Sequence, residues 1–269
     1  EEAVFRFAQI VHDSRTDFAP ILFTWPSRGT VFDYVYDRES TNWSRDTLEK
    51  ALRAAAADPD VAEVTIMAHS MGSWLATEAL RGLALRGGVP KKIANVILAA
   101  PDLDVDVFER QIEQIGRHPR MTLFVSRDDR ALDMSKRIAG GVDRLGAIDP
   151  TKEPYRGRLE KHGVTVLDLT LLQTGDKVNH AKFAESPEVV RLLGDRLIAG
   201  QKVSEDRVGL ADRVGAVAMG AAGTVGSAAS LAVTAPIAVF DPDSRQGIGR
   251  RVEGVGRGVS GTVSPLVGQ

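Results

Sequence analysis

Val61-Ala-Glu-Val-Thr-Ile-Met-Ala-His-Ser-Met-Gly72 is the stretch that decides the fold, because an apolar strand pattern runs directly into a serine and then into a helix-forming segment. Small residues, Ala68 and Gly72, stand two places before and two places after Ser70. This pattern is typical of a nucleophile elbow, a tight strand-turn-helix that exposes a serine hydroxyl. The fold must hold such a serine beside a base, since a free hydroxyl is a weak nucleophile. Alanine at position 68 weakens the match slightly, because it adds a Cβ where the pattern has glycine.

The bulk composition indicates an ordinary globular chain and excludes several classes of function. The 269 residues are 43% hydrophobic and 26% charged, which is enough apolar sequence to bury a core. A formal charge of −2 gives no electrostatic reason to expect nucleic acid as a partner. The chain has no cysteine, which excludes disulfides, thiolate catalysis and cysteine-ligated zinc. We expect no nucleic-acid partner and no cofactor.

Around the elbow, apolar strands alternate with amphipathic helices. This alternation predicts an α/β fold in which a mostly parallel sheet is covered by helices on both faces. The predicted strands are 20–25, 61–67, 93–100, 121–126 and 164–169, and 164–169 is predicted to be the last strand. The predicted helices are 44–57, with Ser44 as its N-cap, 71–86, 104–116, 131–139 and 187–199. Ligands bind outside the carboxyl ends of the strands in such sheets, so the polar residues that follow each strand are the candidate site.

The order of polar residues after the strands predicts a catalytic triad. An elbow serine needs an acid and then a histidine later in the chain, each on a loop at the same edge of the sheet. Asp128 and Asp129 follow one downstream strand, and His180 follows the last one. Asp128 is an alternative acid, and Asp102, Asp104 and Asp106, after the preceding strand, are further candidates. We predict the triad Ser70, Asp129 and His180, with one of the two adjacent aspartates capping the next helix.

Each of these residues also has a simpler interpretation. Ser70 could be only a helix N-cap, and His180 only a surface loop residue. The side chain of His69 points away from that of Ser70, so we expect His69 to pack or to line the mouth of the site. The remaining histidines and aspartates match no recognised metal spacing, and no metal is predicted.

Six motifs in order resemble a bacterial family of esterase/lipase-like α/β-hydrolases whose biological role is unassigned. They are Trp25-Pro-Ser-Arg-Gly29, Tyr34-Val-Tyr-Asp-Arg-Glu-Ser40, Ala68-His-Ser-Met-Gly72, Ala100-Pro-Asp-Leu-Asp104, Ser126-Arg-Asp-Asp-Arg-Ala-Leu132 and Asn179-His180. The resemblance covers residues 1–199. It implies Ser70 as nucleophile, His180 as base and, of the two aspartates, Asp129 as the acid. The expected activity is hydrolysis of a small-molecule carboxylic ester, with a thioester or an amide as the alternative substrate.

The same resemblance implies a His-Gly-type loop that supplies one of two oxyanion-hole amides. Such a loop would stand before Glu1, and the chain begins without a methionine, inside an amphipathic helical pattern. We therefore expect that the natural N-terminus lies upstream, and that the first strands of the sheet lie there too. The backbone amide of Met71 is then the one oxyanion donor that can be named.

The substrate pocket is predicted from residues near the elbow and the strand before it. Trp25, Ser27, His69 and Tyr34 are the candidates. Aromatic residues in or beside 26–43 either roof a pocket for an acyl chain or serve ordinary packing.

The composition changes near residue 200, which predicts a hydrolase domain at 1–200 and an Ala/Gly-rich tail at 201–269. Residues 214–240 are 27 consecutive uncharged residues, long enough to span a bilayer but poor in large apolar side chains. The tail is predicted to be a membrane-associated helix, an interfacial helix, a segment packed on the domain or a disordered extension. The sequence leaves the localisation open: the tail raises cell-envelope or membrane association as a hypothesis, and a cytoplasmic location is the alternative. The tail also suggests an alternative function, a membrane-attached, non-catalytic protein of the same fold that binds a partner or lipid.

Overall fold

The computed structural model describes residues 2–14, 18–117, 119–192, 194 and 238–240. The helices are α1 (Glu2–Ser14), α2 (Tyr34–Ala57), α3 (Met71–Leu85), α4 (Val105–Ile115), α5 (Arg130–Ile138), α6 (Tyr155–Lys161), α7 (Lys182–Glu185) and α8 (Pro187–Leu192). Short 3-10 turns occupy Val31–Asp33 and Leu145–Ala147. The strands are β1 (Val64–His69), β2 (Ile93–Ala99), β3 (Arg120–Val125), β4 (Thr165–Asp168) and β5 (Ala238–Phe240).

The strands form one sheet in the order β1-β2-β3-β4-β5. Strands β1 to β4 are parallel, and β5 pairs antiparallel with β4. In the parallel register His69 lies beside Ala99, and Val125 lies beside Asp168. The carboxyl ends of the four parallel strands therefore share one edge of the sheet, where ligands bind in sheets of this kind.

Helices cover both faces of the sheet because successive strand side chains point to opposite sides. On β2, Val96 and Leu98 belong to a core shared with α2, α3, α4 and α6. Ile97 and Ala99 belong to a second core shared with α1, α7 and α8. The predicted architecture, a mostly parallel sheet between two helical layers, is confirmed.

The predicted strand at 20–25 is wrong. These residues follow an irregular path, and Ile21 is 79% exposed. A strand forms where a neighbouring strand satisfies its backbone donors and acceptors. No strand in the described part of the chain pairs with 20–25. The apolar sequence predicted burial here, but pairing depends on residues far away in the chain.

Helix α2 begins at Tyr34, well before the predicted cap at Ser44. The hydroxyl of Ser44 donates to the carbonyl of Ser40 at 2.8 Å, so Ser44 is an interior residue of the helix and not its cap. Contacts with the preceding loop tie down the first turn of α2. The buried carboxylate of Asp37 accepts a hydrogen bond from the Ser27 hydroxyl at 2.7 Å. It also accepts the backbone amides of Arg28 at 2.8 Å and Gly29 at 3.0 Å. Polar contacts of this kind produce no periodic pattern of apolar residues, so the sequence did not predict the early start of α2.

The predicted last strand, 164–169, is followed by one more, because β5 pairs with β4. Apart from 238–240, the predicted tail at 201–269 and its uncharged run at 214–240 lie outside the described residues. The same holds for most of the predicted helix 187–199 beyond α8. Among the helices that the structure describes, none has the length and apolar character needed to cross a membrane.

A tight contact at Gly146 yields a test of this packing. A Cβ at residue 146 would lie 2.6 Å from the carbonyl carbon of Ala100 and 2.7 Å from the nitrogen of Pro101. Because backbone cannot yield easily, we expect Gly146→Ala to lower the free energy of unfolding by about 1–3 kcal/mol in urea titrations. Gly175→Ala is the matched control, since a Cβ there meets nothing closer than Glu185 at 3.7 Å. Equal free energies of unfolding for the two variants would contradict the close contact.

Candidate active site

Ser70 stands between β1 and α3 in a strained backbone conformation. Its φ is 53° and its ψ is −124°, a combination that residues with a side chain rarely adopt. Its hydroxyl makes no hydrogen bond to the start of α3, so the side chain does not act as a helix cap. A strained serine between a strand and a helix is the geometry of a nucleophile elbow.

Backbone hydrogen bonds hold the elbow against the neighbouring strand. The amide of Ser70 donates to the carbonyl of Ala99 at 2.9 Å. The carbonyl of Ser70 accepts from the amides of Ser73 at 3.0 Å and Asp102 at 3.1 Å. The strain at Ser70 is therefore offset by bonds to the end of β2 and to the loop that follows it.

The small residues beside the serine have different surroundings. A Cβ at Gly72 would lie 3.2 Å from the indole of Trp25, so Trp25 packs on the start of α3. Ala68 is buried in the core that α3 shares with the sheet. The methyl of Ala68 therefore has a place in this elbow, although the usual pattern has glycine there.

Asp129 both caps α5 and contacts His180. One carboxylate oxygen accepts the amide of Leu132 at 2.9 Å, and the other lies 2.7 Å from Nδ1 of His180. The Asp129 side chain is fully buried, and that of His180 is 17% exposed. The expectation that one of the two aspartates caps the helix is met by the same residue that contacts the histidine.

The loop before His180 is shaped by Asp176. Its carboxylate accepts the backbone amides of Val178 at 2.9 Å, His180 at 2.6 Å and Ala181 at 2.8 Å. Burial acts against the charged form, but these three amides outweigh it and hold the pKa of Asp176 below its ordinary value. Asn179, also at positive φ, completes the turn.

Asp128 is bound to a lysine instead of the histidine. The Nζ of Lys182 donates to both oxygens of Asp128, at 2.8 and 2.9 Å, and to the carbonyl of Thr170 at 3.0 Å. The Lys182 side chain is 2% exposed. Burial raises the pKa of Asp128, but the hydrogen bonds from Lys182 and Ser126 outweigh it, so the pKa lies below its ordinary value. Lys182 thus ties together the loops after β3 and β4.

Asp102, the other alternative acid, lies in a buried network of its own. Its carboxylate accepts the hydroxyl of Ser135 at 2.5 Å and lies 3.5 Å from Nε of Arg144. Tyr34 joins this network through a 2.9 Å bond to Ser135. Burial and the charge of Asp102 raise the pKa of Tyr34.

The four predicted pocket residues have separate surroundings. Trp25 packs on the elbow, and Ser27 anchors its loop to Asp37. Tyr34 belongs to the network around Asp102. His69 contacts the ring of His180, with centroids 4.6 Å apart, and its Nε2–H donates to the carbonyl of His180 at 3.2 Å.

One group of side chains elsewhere has the donor set of a metal site. Oxygen and nitrogen atoms of Glu109, Glu113 and His162 lie within 4.8 Å of one another. The Nζ of Lys161 lies 2.9 Å from Glu113 and 3.3 Å from Glu109, and Nε of Arg158 lies 3.3 Å from Glu109. Because these cations already compensate both carboxylates, we assign no metal ion to the group.

Asp176 and Lys182 were not predicted to shape the site. An aspartate that caps the amides two and more residues ahead is a known turn signal, so Asp176-Lys-Val-Asn-His180 contained a hint of the loop. Lys182 has no such local signal, because its partners come from residues 12, 13 and 54 positions away.

The parallel sheet between helical layers and the strained serine after β1 define an α/β-hydrolase. Residues 1–196 match the family described as alpha/beta hydrolase of unknown function (DUF900), and the chain belongs to this family. This match confirms the resemblance to an α/β-hydrolase family of unassigned role. Comparison with curated proteins and with solved structures gives no significant match.

The lowered pKa of Asp176 predicts that the loop carrying His180 opens in acid. Stability from a depressed pKa is present above the unfolded pKa, about 4, and is lost as pH falls through the lower folded value. We expect the amides of Val178, His180 and Ala181 to lose protection from hydrogen exchange below about pH 4.

The variant Asp176→Asn should lose much of this protection at neutral pH, because the charged acceptor is gone. Asp46→Asn, at an exposed position on α2, is the control and should keep it. Unchanged exchange at these three amides in Asp176→Asn would show that the carboxylate does not hold the loop.

Proposed function

We propose that the protein is a serine hydrolase that cleaves carboxylic esters through an acyl-enzyme, with Ser70 as nucleophile, His180 as base and Asp129 as acid. The observation that carries the proposal is the 2.7 Å contact between Nδ1 of His180 and the buried carboxylate of Asp129. It lies at the sheet edge where the strained serine also stands. The ring of His180 rests on His69, the residue directly before the nucleophile.

The contact with Asp129 sets the chemistry of the base. Nδ1–H of His180 donates to the carboxylate, which leaves the lone pair of Nε2 free to accept the proton of Ser70. The serine oxygen then forms a bond to the ester carbonyl carbon, and the π electrons of the C=O bond move onto the carbonyl oxygen, which becomes the oxyanion. Asp129 stabilises the imidazolium that results.

The remaining steps return the enzyme to its starting state. The tetrahedral intermediate collapses, the carbon–oxygen bond to the alcohol breaks, and His180 gives its proton to the leaving oxygen. Water then attacks the acyl-enzyme while His180 takes its proton. The bond between the carbonyl carbon and the Ser70 oxygen breaks as His180 returns that proton to the serine oxygen, and the carboxylic acid product is released.

The amide of Met71 is the proposed first donor to the oxyanion. It occupies the first position of α3, where amides have no partner inside the helix and the helix dipole favours negative charge.

The substrate bond is the finer part of the proposal. The same triad can cleave a thioester or an amide, so a p-nitrophenyl ester, an acyl thioester and an anilide of matched acyl length should be compared. We expect the p-nitrophenyl ester to react fastest, because p-nitrophenolate is a better leaving group than an alkyl thiolate and because resonance stabilises the anilide carbonyl more strongly than the ester carbonyl. A higher kcat/KM for the thioester or the anilide would change the substrate class and leave the triad in place.

Removing the serine hydroxyl tests the nucleophile. We expect Ser70→Ala to lower kcat for p-nitrophenyl esters on the order of 10⁶-fold and to abolish labelling by a fluorophosphonate. Ser73→Ala is the matched control in the same helix. The hydroxyl of Ser73 donates to the carbonyl of Ala68 at 3.4 Å and has no role in the proposed reaction, so this variant should keep both kcat and labelling. A wild-type protein that the probe does not label would favour the non-catalytic binding function.

Three carboxylate variants identify the acid. Asp129→Asn should lower kcat on the order of 10⁴-fold, because the amide cannot hold the required tautomer of His180. Asp102→Asn and Asp128→Asn should cost far less activity, since Arg144 and Lys182 occupy those carboxylates. A larger loss in either of these two than in Asp129→Asn would move the acid role to that residue.

A further inference from the structure

We infer that His69 is a positioning residue that locks the His180 loop against the nucleophile elbow; this inference rests on the proposed hydrolase function. Two contacts carry it. The Nε2–H of His69 donates to the backbone carbonyl of His180 at 3.2 Å, and the two rings lie with centroids 4.6 Å apart at 45°.

The strand alternation explains why His69 reaches the base although it stands beside the nucleophile. Side chains on β1 alternate between the two faces, so His69 shares a face with Met67 and not with Ala68. Met67 packs against the core that includes α7, which begins two residues after His180. His69 thus points toward His180, while Ser70, the next residue, begins the turn into α3.

The loop that carries His180 needs a contact with β1, because Asp129 and Asp176 hold other parts of the loop. Asp129 holds the ring of His180 through Nδ1, and Asp176 holds the backbone amide. Neither fixes the loop relative to β1, which is 111 residues away in sequence. The hydrogen bond from His69 to the carbonyl of His180 connects the His180 loop to β1, and we infer that it sets the distance between the nucleophile and the base.

A histidine suits this position because it combines a ring-edge donor with a flat face. The face also contacts Phe183, with centroids 4.8 Å apart, so the ring is held between two aromatic neighbours. Burial and the neighbouring His180 lower the pKa of His69 to about 3; Arg6 on α1 adds to this, and Asp176 opposes it. His69 therefore stays neutral when His180 accepts a proton, and the two rings do not repel each other.

The test uses the 269-residue chain and three variants at one position. His69→Ala removes both contacts, His69→Phe keeps the ring, and His69→Gln keeps a donor. Fluorophosphonate labelling of Ser70 should slow on the order of 10²-fold in His69→Ala, because a displaced base costs about that much. The Phe and Gln variants should each recover part of the rate.

A spectroscopic readout separates positioning from general destabilisation. The low-field proton NMR signal of the His180 Nδ1–H bonded to Asp129 should shift or broaden in His69→Ala. His12→Ala, at an exposed position on α1, is the control and should leave both the signal and the labelling rate unchanged.

The outcomes distinguish this inference from the proposed function. A wild-type chain without labelling overturns the hydrolase proposal itself. A labelled wild type with an equally fast His69→Ala variant and an unchanged proton signal overturns only the role of His69. Where His69→Ala does not fold, the Phe and Gln variants decide, because both fill the space; wild-type rates in both would overturn the inference.

Discussion

The parallel register of β1 to β4 is the constraint on which the rest of the site depends. Because the four strands run in one direction, each ends at the same edge of the sheet. The serine after β1, the two aspartates after β3 and the histidine after β4 therefore all follow strand ends at this edge, although they are far apart in the chain. Helices on both faces bury the strands and keep this register fixed.

The backbone at this edge is strained in three places. Among the described residues other than glycine, positive φ occurs at Ser70, Ala100 and Asn179. Ser70 follows β1, Ala100 follows β2, and Asn179 directly precedes His180. Each is held by bonds from a neighbouring element: Ser70 by the end of β2, Ala100 by the carbonyl of Phe124 at 2.9 Å, and Asn179 through its side chain by Asp128 at 3.0 Å. Strain concentrated in this way is typical of functional sites, where the surrounding structure keeps a costly conformation.

The charges near the edge divide into pairs, and this division supports Asp129 as the acid. Arg144 lies beside Asp102, and Lys182 binds Asp128. The carboxylate of Asp129 forms no salt bridge with a lysine or arginine among the described residues; its partners are a backbone amide and His180. A carboxylate with this pattern can stabilise a positive charge that appears on the histidine during a reaction, whereas the other two are already compensated.

The sequence alone predicted the four parallel strands, the elbow and the order of serine, acid and histidine, because apolar runs and turn residues are local signals. It also predicted a strand at 20–25 and a helix cap at Ser44, which are wrong. In the first case no strand in the described part of the chain pairs with the apolar segment, and in the second the loop contacts of Asp37 place the helix start earlier in the chain. The surroundings of Asp102, Asp128 and Asp129, and the contact of His69 with His180, were decided only by the tertiary structure. The partners in four of these contacts, Ser135, Lys182 and, in two of them, His180, lie between 33 and 111 residues away, and no local sequence pattern records which distant group lies beside a given side chain.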